Sequence, residues 1–316
     1  MRAFITGITG FVGLHLAEHL HRAGDEVRGC SRGGSWPAWT SPRIAQNVPL
    51  VTWDVGAPGG VPSGLFDGLQ SWGVECIYHL AALSIPKECG RDEPTGPAVA
   101  VNVEGTRRVC DLAKQLGSSP RVLFVSSSHV YGPVDADTPP LSEEAPLSPQ
   151  NGYGKTKLAA EKLARDAACN DGLDVVIARA FQHTGPQQGT QMMLPEWAEQ
   201  FARAGTAPVR VYNRDTQIDL TDVRDVVRAY RLLAEHGAAG ETYNIGSGGP
   251  QRTGDILEIL RQLADPDRPI EELSPGVRYD PIADIARLRA ATGWEAKIPI
   301  EQTVADTLTF WKERTA

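Results

Sequence analysis

What this chain lacks narrows its chemistry first. No Cys-x-x-Cys pair occurs, and the five cysteines, Cys30, Cys76, Cys89, Cys110 and Cys169, are scattered over 316 residues. An odd number at wide spacing makes neither a disulfide framework nor a zinc set; in apolar stretches a thiol acts as a small hydrophobe. No apolar run approaches the ~18 residues that cross a bilayer, so no membrane partner is expected. Lys and Arg do not cluster and the formal net charge is −8, which argues against a nucleic-acid partner. The first residues run into an apolar strand without a signal-peptide layout, so the expected location is cytoplasmic. Repeats and low-complexity tracts are missing too. What is present is a 41 % hydrophobic composition, enough for one large α/β unit or a large unit with a small appendage.

Strand and helix patterns alternate through the first 180 residues. Strands are expected at Arg2–Thr6, Glu26–Cys30, Leu50–Trp53, Val74–Leu80, Arg121–Ser126 and Asp174–Ala180. Helices are expected at Phe11–Ala23, Val99–Leu116 and Tyr153–Ala168, the first ended by Gly24. Such alternation specifies an α/β fold of Rossmann type, a doubly wound parallel sheet with helices on both faces. Gly132–Pro149 carries five prolines and reads as a long loop. Beyond Phe181 the pattern loosens. Gln182–Thr190 reads as a loop, Met192–Arg203, Val223–Ala234, Thr253–Leu263 and Glu301–Trp311 as helices, and Val209–Tyr212 and Glu241–Ile245 as strands. The expected organisation is a dinucleotide-binding domain over 1–180 and a smaller lobe over 181–316, with some segments returning to the main sheet.

Two segments carry chemistry. Gly7-Ile8-Thr9-Gly10-Phe11-Val12-Gly13 joins the first strand to the first helix. Glycine takes the backbone angles of a tight turn cheaply and lets a diphosphate approach the chain. The helix then offers free N–H groups and a partial positive charge. Cys30-Ser31-Arg32 ends the second strand where an acidic residue would bind an adenosine ribose. Ser31 can donate to a 2′-phosphate and Arg32 can pair with it, so NADP(H) is favoured over NAD(H). Asp54 is a candidate for the adenine amino group. The second segment is Tyr153-Gly154-Lys155-Thr156-Lys157. Tyr153 and Lys157 are four apart and share a helix face, where the ammonium is expected to favour the phenolate. Ser127 can hydrogen-bond the reacting oxygen. Together these segments read as a nicotinamide-dependent enzyme acting on a carbinol or ketone. His15-Leu16-Ala17-Glu18-His19 matches a zinc-peptidase pattern, but it lies off the apolar stripe and is expected on a solvated helix face, with no metal.

The glycine turn, His79-Leu80-Ala81-Ala82, Val101-Asn102-Val103-Glu104-Gly105-Thr106, Ser127-Ser128-His129-Val130-Tyr131-Gly132 and the Tyr153/Lys157 pair resemble the extended short-chain dehydrogenase/reductase family, which modifies nucleotide sugars. Arg179-Ala180-Phe181-Gln182-His183-Thr184-Gly185-Pro186, Asp219-Leu220-Thr221-Asp222-Val223-Arg224-Asp225, Tyr243-Asn244-Ile245-Gly246-Ser247 and Thr292-Gly293-Trp294 look most like its GDP-4-keto-6-deoxy-mannose reductase and GDP-mannose 4,6-dehydratase branch. The resemblance implies hydride transfer to C4 of a GDP-4-keto-6-deoxy-hexose, with Tyr153 as proton donor, Lys157 on the cofactor ribose and Ser127 on the C4 oxygen. It implies cofactor contacts from Gly7, Thr9, Gly10, Phe11, Val12, Gly13, Ser31, Arg32, Asp54, Val55, Leu80, Ala81, Ala82 and Asn102, with His79 beside the same cleft. Substrate contacts are implied for Ser84, Ser128, Gln182, His183, Arg214 and Arg278, the last on the diphosphate, and the 181–316 lobe becomes the substrate-binding one. Dehydratases of the family carry carboxylates after the active-site Ser or Thr, where this chain has Ser128 and His129. An imidazole at 129 suits an epimerase base, so the alternative is an epimerase or 4,6-dehydratase that recycles its cofactor. The usual Asn is Gln182, and an Arg expected before Asp219 is Ile218, for which Arg214 is a substitute. A homodimer through the Val99–Leu116 and Tyr153–Ala168 helices is implied as well.

Overall fold

The computed structural model describes residues 1–315. Seven parallel strands form one sheet: β1 (Arg2–Thr6), β2 (Glu26–Ser31), β3 (Leu50–Thr52), β4 (Cys76–His79), β5 (Arg121–Ser127), β6 (Val175–Ala180) and β7 (Thr242–Ile245). Their order is β7-β6-β5-β4-β1-β2-β3. The chain winds outward one way from β1 and the other way from β4, so a crevice opens between the carboxyl ends of these two strands. The main helices are α1 (Phe11–Arg22), α2 (Ser63–Trp72), α3 (Gly105–Gln115), α4 (Gly152–Asp171), α5 (Met193–Ala202), α6 (Val223–His236), α7 (Thr253–Ala264), α8 (Ala286–Thr292) and α9 (Ile300–Thr315).

Period-two alternation sends successive strand side chains to opposite faces. Phe4, Ile77, Val122, Phe124, Val175 and Ile177 pack with α2, α3 and α4. Ala3, Ile5, Tyr78, Leu123, Val176 and Ala178 pack with α1, α6 and α8. Both faces are therefore apolar, as a parallel sheet requires. The lobe has its own core, in which Leu194, Trp197, Ile256, Leu260, Val304 and Leu308 of α5, α7 and α9 enclose Val209, Val211 and Ile218.

Several local expectations change. The helix placed at Val99–Leu116 starts at Gly96, passes through a π-helical turn at Val99–Glu104 and continues as α3. A π-turn inserts one residue per turn, which 3.6-residue periodicity does not register. The loop expected at Gln182–Thr190 opens with a strand, Gln182–Thr184, parallel to Leu220–Asp222. Helix α2 carries Gly64 and Gly68, which hid its Leu65–Leu69 stripe.

Candidate active site

The β1–β4 crevice is a cleft of about 840 Å³, well inside the size range of small-molecule sites. The glycine turn forms one wall. Gly7 has φ +70°, and a Cβ there would stand 2.8 Å from Ala81 Cα. At Gly13 a Cβ would lie 2.3 Å from the Gly7 carbonyl oxygen. Packing alone thus demands glycine at both positions. Gly10 differs: its Cβ would meet only the Gly7 oxygen, at 3.2 Å. Its bare side belongs to the cleft. Helix α1 has no side-chain cap, so its first N–H groups stay free. A bare backbone beside uncapped N–H groups fits a dinucleotide diphosphate.

Thr9, Phe11 and Val12 line the same wall, with Ser31, Arg32, Asp54 and Val55 at one end and Leu80, Ala81 and Ala82 opposite. Ser31 Oγ accepts the Gly34 N–H at 3.0 Å, which leaves its own proton to donate. Arg32 is exposed and makes no ion pair or hydrogen bond among the described residues. Asp54 Oδ1 accepts from Gly56 N–H at 2.9 Å.

Ser127, Tyr153 and Lys157 converge in the middle of the cleft. Ser127 ends β5; its Oγ accepts the His129 N–H at 3.2 Å. Asn151 caps α4 through the Gly154 N–H at 2.9 Å, which sets Tyr153 in the first turn. One turn on, Lys157 Nζ donates to the Val125 carbonyl at 2.9 Å and sits 6.0 Å from the Tyr153 ring centroid. The expected acidification of Tyr153 by Lys157 is not found. Burial pushes the phenol up to about 12, opposed by the Ser127 hydroxyl. Burial pulls Lys157 down to about 8, against the attraction of Glu161. The ammonium is turned to a carbonyl instead of the phenol oxygen. Tyr153 is therefore held in its protonated form at neutral pH, the form that can give a proton.

Behind this trio lies a buried ion pair. Arg179 Nε and Nη2 each donate to Glu161 at 2.9 Å, and Ser126 Oγ donates to the same carboxylate at 2.5 Å. The pair ties β5, β6 and α4 together next to Ser127.

The histidines take different places. His129 lines the cleft, its ring 5.3 Å from that of Tyr153, and its crowded surroundings lower its basicity. His183 lines the lobe side; Nδ1–H donates to the Phe181 carbonyl at 2.8 Å, and its ring stacks on Phe11. His79 is not on the cleft surface. It is buried between Thr6 and Thr106, and burial pulls it down to about 3. His15 is buried as well, donating to the Pro186 carbonyl at 2.9 Å, so the solvated face expected for it is corrected. The α1 fold packs that side against the 182–190 segment. No three metal-capable side chains gather among the described residues.

Ser84, Ser128 and Gln182 line the cleft. Asn102, Arg214 and Arg278 do not. Asn102 is buried and clamps the segment beneath the cleft, with Oδ1 accepting from Leu83 N–H at 2.8 Å and Nδ2 donating to Thr156 at 2.9 Å. Arg278 lies 4.8 Å over Tyr212 on the lobe surface. The Arg214 main chain is held by Glu272 at 2.9 Å. Gln188, Gln191, Met192, Leu194 and Tyr230 line the cleft and were not picked out in the sequence. The apolar run that enters α5 was a signal for Met192 and Leu194; Tyr230 reads as an ordinary core position of α6.

A family model described as "NAD dependent epimerase/dehydratase family" matches residues 3–246. The chain is 30 % identical to GDP-6-deoxy-D-mannose reductase of Pseudomonas aeruginosa, over 99 % of this chain and 98 % of that protein. The solved structure of RMD from Pseudomonas aeruginosa complexed with NADPH is similar at TM-score 0.79 and 30 % identity, covering 99 % of both chains. That of MoeE5 in complex with UDP-glucuronic acid and NAD is similar at TM-score 0.82 and 28 % identity, covering 100 % of both.

Proposed function

The chain belongs to the NAD dependent epimerase/dehydratase family, and from that premise we propose that it is an NADP(H)-dependent 4-ketoreductase acting on a GDP-4-keto-6-deoxy-hexose. One observation carries the reading. Among the described residues lining the cleft, Asp54 is the sole carboxylate, and it follows β3, away from the strand and helix that carry Ser127 and Tyr153. The reacting end offers a protonated phenol, a hydroxyl, an ammonium and the His129 imidazole. The family's dehydratases carry carboxylates there for elimination across C5 and C6, and this chain does not; ketone reduction needs only a proton donor.

A dinucleotide held in this cleft would supply hydride to the C4 carbonyl carbon. Tyr153 delivers its proton to the C4 oxygen as negative charge develops there. Ser127 donates a hydrogen bond to the same oxygen and holds it against the phenol. Lys157 keeps a positive charge nearby at neutral pH, since burial takes it only to about 8. Arg32 and Ser31 would hold the 2′-phosphate, and Asp54 the adenine. Gln182, His183 and Gln188 orient the sugar from the lobe side. The similarity to GDP-6-deoxy-D-mannose reductase supports the guanosine sugar, and that to RMD complexed with NADPH supports the phosphorylated cofactor. In this reading two copies pair through α4 and the α3 helix with its π-turn.

His129 facing the cleft favours a second reading, epimerisation beside the C4 ketone. The two separate cleanly. Incubation with NADPH and the keto sugar should consume one dinucleotide per alcohol formed, and Tyr153→Phe should slow it about 10³-fold while retaining NADPH binding. An epimer produced with no net loss of NADPH absorbance refutes the reductase. A calorimetric panel of GDP, UDP and dTDP checks the base.

A further inference from the structure

Tyr230 is fully buried in α6, and its hydroxyl has no hydrogen-bond partner among the described residues. An unpaired buried hydroxyl is costly, and one that borders a cleft can be satisfied by what the cleft binds. Its ring packs in the core that holds Ile8, Ala178 and Phe181, beneath the glycine turn. Its helix neighbours Val226, Val227 and Leu233 do not line the cleft, whereas Tyr230 does. Side chains on a helix lean toward its N-terminus, and the N-terminus of α6 follows the strand Leu220–Asp222 that borders the cleft. The tip of Tyr230 is therefore the part that reaches the cleft floor. Tyr153 also lies near enough to disfavour ionisation of Tyr230. Tyr230 shares its cleft with the glycine turn and with Tyr153. The stretch of a dinucleotide joining its adenosine to its nicotinamide has to cross there.

We propose that the Tyr230 hydroxyl is a further cofactor ligand, donating a hydrogen bond to the diphosphate of the bound dinucleotide, directly or through one enclosed water. The proposal rests on reading the cleft as a dinucleotide site. Burial and Tyr153 both keep the phenol protonated, so it is a donor facing an anion.

Tyr230→Phe removes the hydroxyl and keeps the ring in place. Tyr78→Phe is the control, since the Tyr78 hydroxyl is equally buried and unpartnered but outside the cleft lining. Calorimetry with NADPH should give a Kd about tenfold weaker for Tyr230→Phe and unchanged for Tyr78→Phe. The melting temperature without dinucleotide should be unchanged or higher, because an unpaired group has gone, and its rise on adding NADPH should shrink. Tyr230→Phe binding NADPH within twofold of the wild type overturns the inference alone. Failure of the wild type to bind any dinucleotide overturns the cofactor reading and this inference together.

Discussion

At Thr6, His79 and Thr106 the hydrogen bonds run in only one direction. The Thr106 hydroxyl donates to the Asn102 carbonyl at 2.7 Å, so it must accept from His79 Nε2–H at 3.0 Å. His79 Nδ1 then accepts from the Thr6 hydroxyl at 2.8 Å, and Thr6 accepts the Ala81 N–H at 3.2 Å. A second proton on His79 would set two donors against each other in a dry site. Burial lowers His79 to about 3, so the folded protein refuses a proton that the unfolded chain takes up below about pH 6.5. Stability from this group is complete above pH 6.5 and declines as pH falls toward 3. His79→Gln should be less stable at pH 7, yet lose about 2 kcal/mol less than the wild type between pH 7 and pH 5. Urea unfolding at the two pH values reads this directly; equal losses would refute it. Arg32 makes the complementary test at the surface. Arg32→Ala should weaken NADPH about tenfold or more and leave NADH almost unchanged; equal weakening of both would move the cofactor assignment to NAD(H). Ser127, Tyr153 and Lys157 were legible in the sequence because their residue types are uncommon in that combination. Their charge coupling was not legible, because spacing says nothing of the carbonyl to which Lys157 turns.

Among the elements, the turn into α1 separates two uses of glycine. Gly13 serves packing, since every atom its Cβ would strike is main chain: Gly7 oxygen at 2.3 Å and Ile8 Cα at 2.7 Å. No rotamer relieves that overlap. Gly13→Ala should destabilise the fold by about 2 kcal/mol or more, read as a lower denaturant midpoint. Gly10→Ala meets one oxygen at 3.2 Å and should leave stability nearly intact. Its methyl group would stand where the diphosphate approaches, so its loss should appear in NADPH affinity. Reversal of the two patterns would mean that Gly10, not Gly13, holds the turn together. The turn and its helix were legible because a Gly-x-x-Gly-x-x-Gly run between an apolar strand and an amphipathic segment allows few structures. The π-turn before α3 was not, yet it presents Asn102 to Leu83 and Thr156. An extra residue in one helical turn leaves no trace in a period.

Across the whole molecule, the boundary near residue 180 separates motifs but does not divide the core. The lobe side supplies β7, which pairs along β6 from Thr242 to Ile245, and α6, which covers the face carrying Val176 and Ala178. Val223, Val226, Tyr230, Leu233, Tyr243 and Trp294 all belong to that shared core. The lobe was the least legible region because its strands are only two or three residues long and pair with segments far away in sequence. Short strands carry too little alternation to identify, and the cleft residues on them come into reach only through those pairings. The energetic consequence is testable. At ~1.5 kcal/mol per buried apolar side chain, the six residues named contribute about 9 kcal/mol, comparable to the net stability of an entire domain. A fragment of residues 1–180 would retain the glycine turn, Ser127, Tyr153 and Lys157, but would expose an unpaired β6 edge and one bare sheet face. It should show no cooperative thermal transition and no NADPH binding, whereas the full chain should unfold in one transition that shifts upward with NADPH. A 1–180 fragment that melts cooperatively and binds the dinucleotide would show instead that the lobe is an appendage to an independently stable domain.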